Sequence, residues 1–195
     1  MLREAERAAR EQGVEHVEWI RGSSAELQTL SPAIRGFDLV TIGTALHFME
    51  PSATLSELGR IAAGGAVAVA YNGTPMWLHS DPWAKALRRV LEDRLGQLSD
   101  ADFTTEALLA AEHAMNALGY TQIERWEQRY VETIDVEFIV GHILAATSSD
   151  QIPPAQRANF AQEVASAITT LAPSGRVEEP VSVRAVIGHP PTTTP

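Results

Sequence analysis

A chain of 195 residues with 45% hydrophobic and 21% charged side chains has the composition of an ordinary globular protein and can bury one good core. Its 15 basic against 25 acidic residues leave a formal charge of −10, which argues against a nucleic-acid surface, and no local basic stripe offsets it. Cysteine is absent, which excludes disulfides, thiolate metal sites and cysteine nucleophiles and fits a reducing compartment, so the expected location is cytoplasmic.

Residues 1–12 read as a helix with Leu2, Ala5 and Ala9 on one face and Gly13 at its stop. No N-cap residue or turn precedes it. The segment is too charged for a signal peptide, and no run in the chain approaches the roughly 18 apolar residues of a membrane span, so no membrane partner is expected. Residues 17–21 make a short strand. The polar turn Gly22, Ser23, Ser24, Ala25, Glu26 follows, and a linker through Pro32 and Gly36 leads on.

Phe37, Leu39, Val40 and Ile42 form a nearly continuous apolar run stopped by Gly43, the pattern of a parallel strand covered on both faces. Residues 51–63 carry Leu55, Leu58 and Ala62 at helical spacing, with Thr54 and Glu57 placed as a capping box and Gly64 and Gly65 as the stop. Residues 66–71 are a second buried strand. Residues 37–71 therefore predict a strand, helix, strand crossover between parallel strands. In open α/β sheets ligands sit outside the carboxyl ends of the strands, which points to residues 43–49.

Asp81 and Pro82 open a helix with Trp83, Leu87, Val90, Leu91 and Leu95 on one face. A second helix starts after Thr104 or Thr105, with Leu108, Ala111, Met115 and Leu118 inward and Gly119 as stop. Residues 121–134 are strand-like but half polar, which suits a place near a sheet edge. Val136, Ile139, Val140, Ile143 and Leu144 define one amphipathic helix; Phe160, Val164, Ile168 and Leu171 define another after Pro153 and Pro154. Val181, Val183, Ala185 and Ile187 alternate as a final strand, and residues 190–195 read as a disordered tail. Trp77, His79, Asp81 and Trp83 invite a metal or aromatic-cage reading, but one His and one Asp two apart make a poor site, and the start of a helix with apolar anchors explains them. No metal is expected. Nucleophile-elbow, phosphate-loop and dinucleotide fingerprints are absent.

Residues 1–9, the turn 22–27 and residues 37–49, together with Gly64 and Gly65 before a small apolar strand, resemble a class I S-adenosylmethionine-dependent methyltransferase of the small-molecule type. The resemblance implies an α/β, Rossmann-like three-layer sandwich, a mostly parallel sheet with an antiparallel C-terminal strand, incomplete at the N-terminus. Residues 1–189 would form one truncated domain, with 72–175 as its helical cap and C-terminal half. The family's glycine-rich loop and the acidic residue that holds the ribose have no counterpart here. They would need roughly 30 or more residues before Met1.

At the matching positions, Ser23, Ser24 and Ala25 stand where the family contacts adenine, and Gly43, Thr44 and Ala45 where it lines the adenosine and methionine portions of S-adenosylmethionine. The resemblance implies that His47 and Phe48 face the acceptor. Two alternatives stay open: residues 23–26 also read as a helix cap, and His47 reads either as a packed or capping residue or as a substrate contact or general base. The implied function is methyl transfer from S-adenosylmethionine to an unidentified small molecule. Such chemistry asks mainly for alignment in a dry site, so it needs no conspicuous catalytic constellation. The competing reading is a noncatalytic remnant or interaction module that keeps half of the fold. In both, the strand at 37–43 exposes an apolar edge that invites self-association unless residues 17–21 lie beside it.

Overall fold

Two apolar strands and the helix between them build the frame. β1 (Leu39–Gly43) and β2 (Ala66–Tyr71) pair in parallel, from Leu39 opposite Ala66 to Gly43 opposite Ala70, and α3 (Pro51–Ile61) connects them. The start of β2 requires glycine. A Cβ on Gly65 would fall 2.4 Å from the carbonyl oxygens of Phe37 and Asp38, and this close approach lets Ala66 donate its N–H to Asp38 at 2.9 Å.

The computed structural model describes residues 2–30 and 34–191. The other elements are α1 (Leu2–Glu11), α2 (Leu27–Leu30), α4 (Pro82–Leu95), α5 (Phe103–Ala117), β3 (Thr121–Asp135), α6 (Val136–Ala146), α7 (Arg157–Leu171) and β4 (Arg176–His189). Pro32 of the expected linker and residues 192–195 of the expected tail lie outside the described residues, and Pro190 is buried.

The sheet order is β1-β2-β4-β3. β4 runs antiparallel to both of its neighbours, so β1, β2 and β3 share one direction. The α/β, Rossmann-like class is the expected one, with the last strand opposed to the rest. Because that strand lies between β2 and β3, two of the three pairings are antiparallel. Tyr71 at the end of β2 lies opposite Arg184, so residues 176–183 of β4, paired with 128–135 of β3, continue past the carboxyl edge of β2 as a two-stranded ribbon.

Two apolar clusters follow from this layout. One joins Leu55, Leu58 and Ile61 of α3 and Ala111 and Met115 of α5 to Val67 and Val69 of β2. The other joins Trp83 and Leu87 of α4, Ile139 and Ile143 of α6, and Phe160, Val164 and Ile168 of α7 to Ile134 and Val177 at the ribbon's far end. Fully burying one such side chain stabilises the fold by roughly 1.5–3 kcal/mol. The helical cap is thus anchored on the overshooting ribbon, beyond the strand ends where the site is expected.

Several expectations are corrected. β1 is an edge strand and not a doubly covered one: among its residues only Ile42 is buried, Leu39 is 54% exposed and the preceding Phe37 is 49% exposed. Residues 17–21 form no strand, and Val17, Trp19 and Ile20 stay exposed. A strand exists through its hydrogen-bonded neighbour, and among the described residues this segment has none. Glu50 caps α3 by accepting the N–H groups of Ser52 and Ala53, so Thr54 and Glu57 are buried helix residues and not a capping box. α5 begins at Phe103, where Asp102 accepts the Thr104 N–H at 3.1 Å. Leu171, expected inward, is exposed.

Candidate functional site

β1 ends at Gly43, but Thr44 extends its ladder by donating an N–H to the Ala70 carbonyl at 2.8 Å. Thr44 then takes φ = +46°, a left-handed conformation that a β-branched residue rarely adopts and that costs of order 1–3 kcal/mol. This turn sends the chain into the short 3-10 helix Leu46–Phe48.

Tyr71 holds that helix in place. It is 1% exposed, accepts the His47 backbone N–H at 3.0 Å and lies 3.3 Å from His47 Nδ1. Burial pushes its hydroxyl above the usual tyrosine value, and the nearby amides of His47 and Leu46 partly oppose the shift. The His47 ring sits among three others, with centroids 3.8 Å from Phe48, 5.3 Å from Phe103 and 5.9 Å from Tyr71. Since Tyr71 takes the Nδ1 side, Nε2 is the nitrogen left for a ligand.

Two clefts adjoin this loop. The first, of about 300 Å³, is lined by Ile20, Ser23, Ser24, Leu27, Thr41, Ile42 and Met49 among others. The second, of about 290 Å³, is lined by Leu46, His47, Met49, Pro51, Phe103 and Glu106 with two alanines of α5. Met49 belongs to both walls. Ser23 and Ser24 are therefore brought to the first cleft and His47 to the second. Gly43, Thr44 and Ala45 line neither; they are the chain between Ile42 on the first wall and Leu46 on the second. Ala25 is exposed and off both walls, and Phe48 is 80% exposed on the outside of His47.

The Ser23 N–H and hydroxyl both donate to the Glu26 carboxylate, at 2.7 and 2.9 Å, so the turn at 23–26 is a helix cap. Ser24 is then the turn's remaining hydroxyl on the cleft wall. The residues missed from sequence are Tyr71, Phe103 and Glu106, whereas Met49 lies within the selected stretch 43–49. Tyr71 carried a signal, because it is the last residue of a parallel strand and the rule that selected residues 43–49 selects it too. Phe103 and Glu106 reach the site only through tertiary packing.

A further cleft, of about 320 Å³, lies between α5 and strands β3 and β4 and is lined by Arg125, Trp126 and Arg184 among others. Its arginines are paired, Arg125 with Glu112 and Arg184 with Asp102, and none of the loop residues 43–49 reaches it. Among the described residues, no group of three or more metal-ligating side chains is assembled and no helix is long and apolar enough to cross a membrane.

No family model matches the sequence, and no curated protein matches it. Among solved structures, a protein from Anaeromyxobacter dehalogenans provisionally assigned as a type II methyltransferase is similar over 88% of this chain and 70% of its own, with 16% identity and a TM-score of 0.51. The chain shares the fold of that protein. The YcgJ protein of Bacillus subtilis (16% identity, TM-score 0.46) is similar over 96% of this chain and 77% of its own. A provisionally assigned methyltransferase of Bacillus halodurans (15% identity, TM-score 0.48) is similar over 99% and 79%. Within this methyltransferase fold, the Tyr71-braced loop and both clefts stand beside the carboxyl ends of β1 and β2.

Proposed function

We propose that the chain belongs to an S-adenosylmethionine-dependent methyltransferase acting on a small molecule, with the cofactor at the first cleft and the acceptor at the second. The observation that carries this reading is the pair of clefts sharing Met49 at the strand ends of a methyltransferase fold. The residues present suit the adenosine end of the cofactor. Ile20, Leu27, Ile34 and Ile42 offer apolar walls for a planar base and Ser24 a hydroxyl for its edge, while a Cβ on Gly43 would meet nothing within 4 Å, so the space before it is open.

The bound cofactor supplies a methyl group activated by a sulfonium. The chain's part is alignment. Leu46, Met49 and Phe103 exclude water around the acceptor, and Tyr71 fixes the His47 ring. His47 contacts the acceptor through Nε2 and takes a proton there when the acceptor has one to lose. We place the protein in the cytoplasm on its lack of cysteine.

A second reading, a noncatalytic interaction module, is favoured by one feature, the open apolar edge of β1. Calorimetric titration with S-adenosylhomocysteine separates the two. The wild-type chain should bind, and Ser24→Ala, which removes the hydroxyl on the wall of the first cleft, should weaken binding with the melting curve preserved. A wild-type chain that takes up none would favour the interaction module.

A further inference from the structure

The α5 wall of the second cleft consists of Phe103, Glu106, Ala107 and Ala110, at i, i+3, i+4 and i+7 along one helix face. The facing wall is Leu46, His47, Met49 and Pro51. Neither wall carries a lysine or arginine. Glu106 brings a carboxylate to this otherwise apolar and aromatic surface. The salt bridges of the α5 region use Asp102 and Glu112, so among the described residues Glu106 has no cationic partner. Its place in the first helical turn also favours α5 through the helix dipole, a local benefit that needs no ligand.

Resting on the methyl-transfer reading of this site, we infer that its acceptor is an amine carried on an apolar body. A protonated amine finds a carboxylate of opposite sign in Glu106 and an aromatic face in Phe103. An anionic acceptor would meet Glu106 with no arginine or lysine to offset it. A neutral alcohol would bury its apolar body equally well and gain nothing from the carboxylate. The ammonium proton has an acceptor in His47 Nε2, the nitrogen that Tyr71 leaves free.

Phenethylamine, 2-phenylethanol and phenylacetate share one apolar body and differ in charge, so they isolate this effect. Binding of each to the full 195-residue chain is measured by NMR shift perturbation near pH 7 with no cofactor present. The amine should bind about tenfold more tightly than the alcohol, a difference of about 1.4 kcal/mol, and the acid should bind least. Glu106→Gln should reduce the amine to the level of the alcohol and leave the alcohol unchanged, whereas a purely helix-stabilising role would lower the melting midpoint and leave the preference intact. Equal binding of amine and alcohol, a preference for the acid, or binding of none of the three overturns the inference. Failure of S-adenosylhomocysteine to bind is read in a separate titration and leaves this comparison standing.

Discussion

Tyr71 joins the ends of two parallel strands: its hydroxyl accepts the His47 N–H at 3.0 Å and meets His47 Nδ1 at 3.3 Å. The last residue of β2 thereby fixes the loop that follows β1. Tyr71→Phe keeps the ring and removes both contacts. It should cost about 1–2 kcal/mol in urea unfolding and weaken phenethylamine binding several-fold. An unchanged affinity would mean that the tyrosine braces the loop without shaping the site.

Thr44 adopts φ = +46° without the freedom of glycine. Relief of left-handed strain, of order 1–2 kcal/mol, outweighs the extra entropy a glycine loses on folding, roughly 0.5–1 kcal/mol. Thr44→Gly should therefore raise the melting midpoint by about 2 °C in a calorimetric scan. A lower midpoint would show that the threonine side chain stabilises the turn by more than its backbone costs.

What could be read from the sequence depended on whether the signal was local. The apolar runs at 39–43 and 66–71 and the helix between them carry their own periodicity, and the crossover formed as expected. Leu39 illustrates the limit. Its residue type predicts burial, but among the described residues β1 has no strand on its outer side, and the expectation of an exposed edge comes from the resemblance and not from any local window. Residues 17–21 fail as a strand for the same reason. Glu50 displaced the expected cap because Pro51, lacking an N–H, suits the first position of the helix and sets its start. At the site, the strand-end rule selects the loop that contains His47 and the resemblance supplies Ser24, whereas the pairing of Phe103 and Glu106 with His47 depends on how α5 docks.

The edge of β1 is five residues long, uncharged and free of proline, so it lacks the devices that keep such edges apart. We propose that the chain self-associates through it, and light scattering should find species larger than the 21.1 kDa monomer at tens of micromolar. Leu39→Lys, which places a charge at an exposed position, should shift the population to monomer with little change in stability. A wild-type chain that stays monomeric at that concentration would contradict this.

Tyr120 ties α3 to the start of β3. It is buried, its hydroxyl donates to the Leu55 carbonyl at 2.7 Å, and desolvation pushes its pKa up to about 12 from the ordinary tyrosine value of 10.0. A raised folded-state value means that the native chain holds this proton more tightly than the unfolded one. The stabilisation is complete below about pH 10 and is lost as pH rises through about 12. Tyr120→Phe should cost about 1 kcal/mol at neutral pH and flatten the fall in stability between these values, as measured by urea unfolding across the alkaline range.

We propose that the cofactor rests in the first cleft, between the turn at 22–24 and the carboxyl end of β1. Hydrogen exchange of the whole chain, with and without saturating S-adenosylhomocysteine, tests it most directly. Slower exchange is expected in the segments that wall this cleft, residues 20–27 and 41–49, with the β3–β4 ribbon unchanged. Exchange that stays the same in both segments, or protection that falls elsewhere on the molecule, would contradict it.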